Sequence, residues 1–169
     1  MSRRLLRQAY DQLKSEDFEL AFEFKLEIQI PPENLYTGPV PNLNLFAKDA
    51  EEGGYSIDYE SKRIGTANIN SPTSKSAGSV KFTARDNKNQ DLENFLMAMK
   101  DTVINHDGTI NMPFEYLFHV ILYKPNASGE YVEAHKWYCS AEEMGAKQLG
   151  YEKGNEFTYF DVAFKKYRS

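Results

Sequence analysis

The side chains best suited to nucleophilic or metal chemistry in this sequence are three histidines, His106, His119 and His135, and a single cysteine, Cys139. Their spacing works against both kinds of chemistry. No two histidines fall in the His-Glu-x-x-His arrangement that sets two imidazoles around zinc, and one cysteine cannot supply a multi-thiolate site. His135 and Cys139 share a face of one predicted strand. Four residues at about 3.3 Å each set them roughly 13 Å apart, beyond hydrogen-bond reach for a nucleophile and its base. Cys139 therefore reads as a small, inert core residue.

Phosphate chemistry has no better footing, because no GxxxxGK[ST] or GxGxxG run occurs and the glycines fall in turns. Carboxylates are plentiful, yet no pair stands out with the separated acid and base roles that sugar hydrolysis needs. The sequence thus assigns no catalytic, cofactor-binding or metal-binding residue, and the expectation is a protein that is not an enzyme. Asn126-Ala-Ser128 matches a glycosylation acceptor, but no secretion signal accompanies it and the match reads as chance.

With chemistry set aside, the question becomes which elements the chain builds. Its 169 residues suit one domain with arms, and 41% hydrophobic against 27% charged residues is too apolar for a disordered chain. The 11 Phe and 11 Tyr fall mostly in short alternating runs, where rings suit a pleated surface, so strands dominate the expectation. A net charge of −5 gives an average field that repels nucleic acid, which argues against a sequence-reading DNA or RNA binder. The lone cysteine excludes an intrachain disulfide and fits synthesis in a reducing compartment. No run reaches the roughly 18 apolar residues of a membrane span. The opening Met1-Ser-Arg-Arg-Leu-Leu-Arg has some look of a targeting helix, but Asp11, Glu16 and Asp17 follow at once and such peptides are poor in acid.

Residues 1–16 read as a short helical arm, with Leu5, Leu6, Ala9 and Leu13 at helical spacing and Arg3, Arg4 and Arg7 mostly outside that stripe. A helix of about a dozen residues is marginal alone, so the stripe needs a surface to cover. Then Phe18, Leu20, Phe22, Phe24, Leu26, Ile28 and Ile30 alternate with mostly polar residues, which predicts one long strand ended by Pro31-Pro32. A Pro-containing crossover leads to Leu43, Leu45 and Ala47, which suggest a second strand. Residues 51–78, opened by Gly53-Gly54, are polar and read as a long projecting loop or hairpin. Within it, regularly spaced Tyr55, Ile57 and Tyr59 suit docking on another surface.

Val80, Phe82 and Ala84 predict another strand. Asn89 stands at a cap position before the one internal amphipathic helix, marked by Leu92, Phe95, Leu96, Met99 and Val103. From Phe114 to Lys124 the run is apolar on both faces, as in a strand buried on both sides. A turn at Pro125–Gly129 returns the chain along Tyr131–Cys139 as a hairpin, and a closing strand at Phe157–Tyr167 sends Phe160, Val162 and Phe164 inward.

Several of these segments, in this order, resemble the tube proteins of contractile-tailed phages, whose fold is shared with the tubes of type VI secretion and related injection machines. LKSEDFELAFEFKLEI looks like that family's short helix and first long strand. GSVKFTARD followed by QDLENFLMAMKDTV falls where the family places its internal helix, and LGYEKGNEF followed by TYFDVAFKKY resembles its closing turn and strand.

The resemblance implies a mainly β (α+β) fold, a tail-tube-like β-barrel or sandwich with one internal helix and a short N-terminal helix, in a single domain over 1–169. It implies hexameric rings stacked into a tube, and as partners the sheath, a tape-measure protein, a baseplate tube-initiator and genomic DNA in transit, with no membrane and no cofactor. Its place would be a virion tail assembled in the host cytoplasm. Under it, Glu19, Glu23, Lys25 and Glu27 face the lumen. Tyr55, Ile57, Tyr59, Lys62 and Arg63 belong to a ring-stacking loop, and Arg3, Arg4, Leu5, Leu6 and Arg7 form an arm contact. The middle of the chain, residues 53–78, departs from the family pattern. A baseplate tube-initiator or hub ring shares the same expectations, and a monomeric β-barrel ligand carrier is the rival of a different class.

Overall fold

The computed structural model describes residues 24–147 and 158–168. The predicted N-terminal helix, the first part of the predicted long strand and the closing turn lie outside the described residues. Eight strands and three helices, two of them single turns, follow one another in the described chain. β1 is Lys25–Gln29, α1 Leu43–Phe46, β2 Ala47–Glu52, β3 Ser56–Ile64, β4 Ala67–Ser76 and β5 Ser79–Arg85. They are followed by α2 at Asp91–Val103, α3 at Pro113–Tyr116, β6 at Phe118–Pro125, β7 at Tyr131–Met144 and β8 at Tyr159–Lys166.

Six strands form one sheet in the order β1-β6-β7-β8-β5-β2, antiparallel throughout, while among the described residues β3 and β4 pair only with each other. Alternation decides which side of the sheet is core. Leu26 and Ile28 of β1, Val80, Phe82 and Ala84 of β5, and Phe160, Val162 and Phe164 of β8 point inward and are buried, as their spacing predicts. On that side Leu92, Phe95, Leu96 and Met99 of α2 complete the core, with Phe118 and Phe164 edge to face at 5.1 Å. The doubly apolar reading of β6 holds at its centre, where Val120, Ile121 and Leu122 are all buried.

The sheet is curled and open, so of the barrel or sandwich that the resemblance implies the described residues form no closed barrel: among them β1 and β2 are edges with no partner strand. β7 explains the curl. Its first part, Tyr131 to Cys139, pairs with β6 and its second, Cys139 to Met144, pairs with β8, so the two halves of the sheet are staggered along one long strand. The curl brings Glu52 of edge strand β2 across to β6 and β7, where it meets Lys124 at 3.8 Å and His135 at 3.4 Å.

Three local expectations are corrected. Leu43 and Leu45 stand in a helical turn, not a strand. The Asn42 side chain accepts from the Asn44 N–H, and Asn44 Oδ1 in turn accepts from the Leu26 N–H, which seats Leu43 in the core. The strand predicted from Phe114 begins only at Phe118, because Pro113 opens a helical turn that the Glu115 carboxylate caps through the Met112 N–H. Asn89 does not cap α2. Asp86 does, its carboxylate accepting from the Leu92 and Glu93 N–H groups and standing 3.6 Å from Lys147. Replacing Asp86 with Ala is expected to cost about 1–2 kcal/mol in urea unfolding, the usual worth of an N-cap. An unchanged midpoint would remove Asp86 from that role.

Candidate assembly surface

Within the segment 51–78, β3 and β4 form a true hairpin that pairs with no other strand among the described residues. It turns tightly at Gly65-Thr66, with Gly65 at φ +65°, where glycine is free of the Cβ penalty. Register assigns its faces. Ile57 opposite Lys75, Tyr59 opposite Pro72 and Arg63 opposite Asn68 share one face, while Lys62 opposite Ile69 and Ile64 opposite Ala67 share the other. The predicted stacking residues are thus divided, with Ile57, Tyr59 and Arg63 on one side and Lys62 on the other, and Tyr55 just before the hairpin is 74% exposed. Both faces carry exposed apolar side chains, Ile64 and Ile69 among them. A two-stranded hairpin with water on both sides is marginal by itself.

The hairpin is nonetheless anchored at its root. Gly53 donates to the Ser79 carbonyl at 2.9 Å, and a Cβ on Gly53 would collide with that carbonyl. Gly78, at φ +73°, lies against the Gly54 carbonyl with no room for a side chain. Lys166 of β8 closes the root from the core side: its backbone N–H donates to the Gly78 carbonyl at 3.2 Å and its buried Nζ to the Gly53 carbonyl at 2.7 Å. The same ammonium lies 4.4 Å from the centre of the Trp137 ring, on which His135 stacks at 5.3 Å. Sequence reading missed Lys166, Trp137 and Glu52 altogether. The glycines at 53, 54 and 78 were the only signal of the junction.

Of the predicted lumen residues, Lys25 and Glu27 lie on the outward side of β1, whereas Glu19 and Glu23 lie outside the described residues. Lys25 sits 3.8 Å over the Tyr131 ring. A hydrogen bond to Glu27 raises the Tyr123 phenol above its usual range. The outward side is not uniformly acidic. Glu51 pairs across from Lys81, Asp49 across from Thr83 and Asp161 across from the same Thr83, and these residues with Glu143 line an open groove beside edge β2. Lys136, opposite Ile121, adds a further cation and donates to Gln29 at 2.9 Å. Acids and bases therefore interleave over this side. The predicted arm residues Arg3, Arg4, Leu5, Leu6 and Arg7 lie outside the described residues.

Three of the residues first considered for chemistry, His119, His135 and Cys139, each have a separate setting. Cys139 is fully buried and its thiol is pushed up to about 12 by desolvation, which the nearby Lys166 only partly offsets. His135 is engaged with Glu52 and Trp137. Burial, with Lys136 adding to it, holds the His119 imidazole below its ordinary pKa, and the ring packs 4.6 Å from Tyr138. Among the described residues no group of three or more His, Cys, Asp or Glu is placed to hold a metal, and no helix is long and apolar enough to cross a membrane.

This architecture, a mainly β sheet with one internal helix and an outlying hairpin, is a fold found in chains of contractile injection systems. It is shared with the sheath/tube terminator of an extracellular contractile injection system, PVC, in its extended state, at a TM-score of 0.60 and 10% identity over 91% of this chain and 96% of that one. A chain of the PVC sheath-tube complex aligns at TM-score 0.59 and 10% identity, over 94% of this chain and 93% of that one. A chain of the anti-feeding prophage tube-terminating cap aligns at 0.57 and 13%, over 90% and 89%. At such identities the likeness is one of fold. No protein-family profile and no curated protein sequence matches the chain.

Proposed function

We propose that this chain is a structural subunit of the inner tail tube of a contractile phage-type particle, forming stacked hexameric rings around a channel for DNA passage. The observation that carries the proposal is the open sheet. Among the described residues no strand pairs with the outer side of β1 or of β2, and the hairpin β3–β4 exposes both faces, on a fold shared with injection-system chains. A head-to-tail contact pairs one subunit's edge with the next, and if the rotation closes the result is a ring without edges. A second, independent contact through the hairpin stacks ring upon ring.

In this arrangement the outward side of the sheet, with Lys25 and Glu27, faces the channel, and Glu19 and Glu23 are proposed as further lumen residues. Interleaved charges there leave no continuous basic track for phosphates, so DNA moves through without adhering. The partners are further copies of the chain, the sheath subunits, a tape-measure protein and a baseplate tube-initiator, and no catalysis is involved. The place of the protein is the virion tail, assembled in the host cytoplasm.

A second reading is a ring that starts or ends the tube. It is favoured by the solved chains of similar fold, two of which are described as a terminator or a cap. Electron microscopy of the purified chain separates the readings. Long tubes are expected for the tube subunit and isolated rings for the terminal ring, while compact single molecules at high concentration would overturn both.

A further inference from the structure

One edge of the sheet carries a side chain in the place of a strand. In an antiparallel ladder alternate residues turn both backbone groups toward the partner, and the residues between turn theirs away. The Leu26 N–H donates to Asn44 Oδ1 at 2.8 Å, so the backbone groups of Leu26 point away from β6, and two residues on so do those of Ile28. Within β1 the free edge therefore offers a further strand the groups of Leu26 and Ile28. The first of its donors is already taken.

Asn44 makes this bond without being needed as the cap of its own turn. Asn42 caps α1, its Oδ1 accepting from the Asn44 N–H at 3.1 Å, and the fully buried Leu43 anchors the turn in the core. Asn42 Oδ1 also accepts from Asn44 Nδ2 at 3.1 Å, which sets the amide with its oxygen toward Leu26. Asn44 itself is exposed, so a rotation of its side chain carries the amide from the edge into water. Past it, an open groove of about 520 Å³ follows β1, lined by residues 25–28 and 40–44. Covering an edge with a helix or loop is one of the means by which sheets avoid chance pairing. Here the cover ends after one rung.

We infer that Asn44 is an edge guard. In the single chain its amide oxygen stands where the carbonyl of a neighbouring strand would stand. On assembly the edge strand of a second copy enters the groove and supplies a backbone carbonyl to Leu26, and the Asn44 amide turns to water. The inference rests on the tube-or-ring reading above and adds a contact that holds the subunit back until a copy arrives. Leu26 has one bond before the exchange and one after it, so this rung adds nothing to the drive for assembly, as an unguarded N–H would.

The test compares the full chain with Asn44→Ala, which leaves the Leu26 N–H to water. The concentration at which rings or tubes appear in sedimentation velocity should fall about fivefold, the factor that one net hydrogen bond is worth. In the unassembled variant the Leu26 amide should exchange its hydrogen faster than in the parent. Asn44→Asp keeps an acceptor and adds charge to the bond, so its threshold should rise and its Leu26 amide exchange more slowly. An Asn44→Ala threshold equal to or above the parent's, in a chain that keeps a folded baseline in urea, would make Asn44 a tie for α1 alone; that overturns the inference and leaves the functional proposal standing. Should Asn44→Ala fail to fold, Asn44→Asp decides, and a threshold no higher or an exchange no slower than the parent's overturns the guard. Assembly by Asn44→Ala beside a parent that stays single would support both readings. No assembly by either chain would sink both.

Discussion

Excising the hairpin is expected to leave a folded subunit that does not polymerise. The change joins Gly54 to Gly78 through a short Gly-Ser turn and removes β3 and β4, whose ladder involves no strand of the main sheet. The core of Leu26, Phe82, Phe95, Phe118, Val162 and Phe164 is untouched, so the urea midpoint should move by less than the equivalent of about 1 kcal/mol. Assembly should respond very differently. Burying Ile64, Ile69 and one or two further apolar side chains against a neighbour contributes at least about 3 kcal/mol at roughly 25 cal/mol per Å². Since every 1.4 kcal/mol is a factor of ten, the concentration needed for stacking should rise by more than about a hundredfold. Sedimentation velocity with electron microscopy reads the result. Normal tubes from the excised chain would remove the hairpin from assembly, and a chain that fails to fold would show that the hairpin supports its own sheet.

Much of this organisation is legible in the sequence because strands and helices write their burial with fixed periods. Leu26 and Ile28, Val80 with Phe82 and Ala84, and Phe160 with Val162 and Phe164 alternate in the sequence and are buried in the fold. The helix face of Leu92, Phe95, Leu96 and Met99 is equally plain. The failures are of another sort. Leu43 and Leu45 have strand spacing, yet Asn42 and Asn44 cap a turn whose second bond goes to Leu26, and a link over 18 residues leaves no periodic trace. Phe114 lies in an apolar run, but Pro113 and Glu115 fix a helical turn ahead of the strand.

The candidate site divides in the same way. A polar stretch bounded by glycines announces a projecting hairpin, and its exposed tyrosines and isoleucines announce contact with something. What aims the hairpin could not be read, because the contacts of Glu52 with His135, and of Lys166 with Gly53 and Trp137, join residues that are distant in the chain. The choice between barrel and sandwich could not be read for a physical reason. A strand pattern records which face is buried, and says nothing of whether the partner of an edge comes from the same chain or from a copy.

Lys166→Met should loosen the hairpin root while leaving the rest of the sheet in place. Methionine preserves the apolar stem of the buried lysine, and the backbone bond from residue 166 to the Gly78 carbonyl survives. What disappears is the ammonium that the Gly53 carbonyl accepts from and that lies over Trp137. A charged hydrogen bond of about 1.5–3 kcal/mol and a cation–π contact of about 0.5–2 kcal/mol are lost together, so a decrease of about 2–5 kcal/mol in unfolding free energy is expected. Trp137 is the only tryptophan, so its emission reports this root alone and should change in the native variant before any denaturant is added. Lys166→Arg keeps a cation that can both donate to the carbonyl and lie on the indole, and should recover part of the loss. Were Lys166→Met to match the parent in both stability and emission, the ammonium would be a passenger, and the direction of the hairpin would have to be set by the close approach of Gly53 and Gly78 to their neighbouring carbonyls.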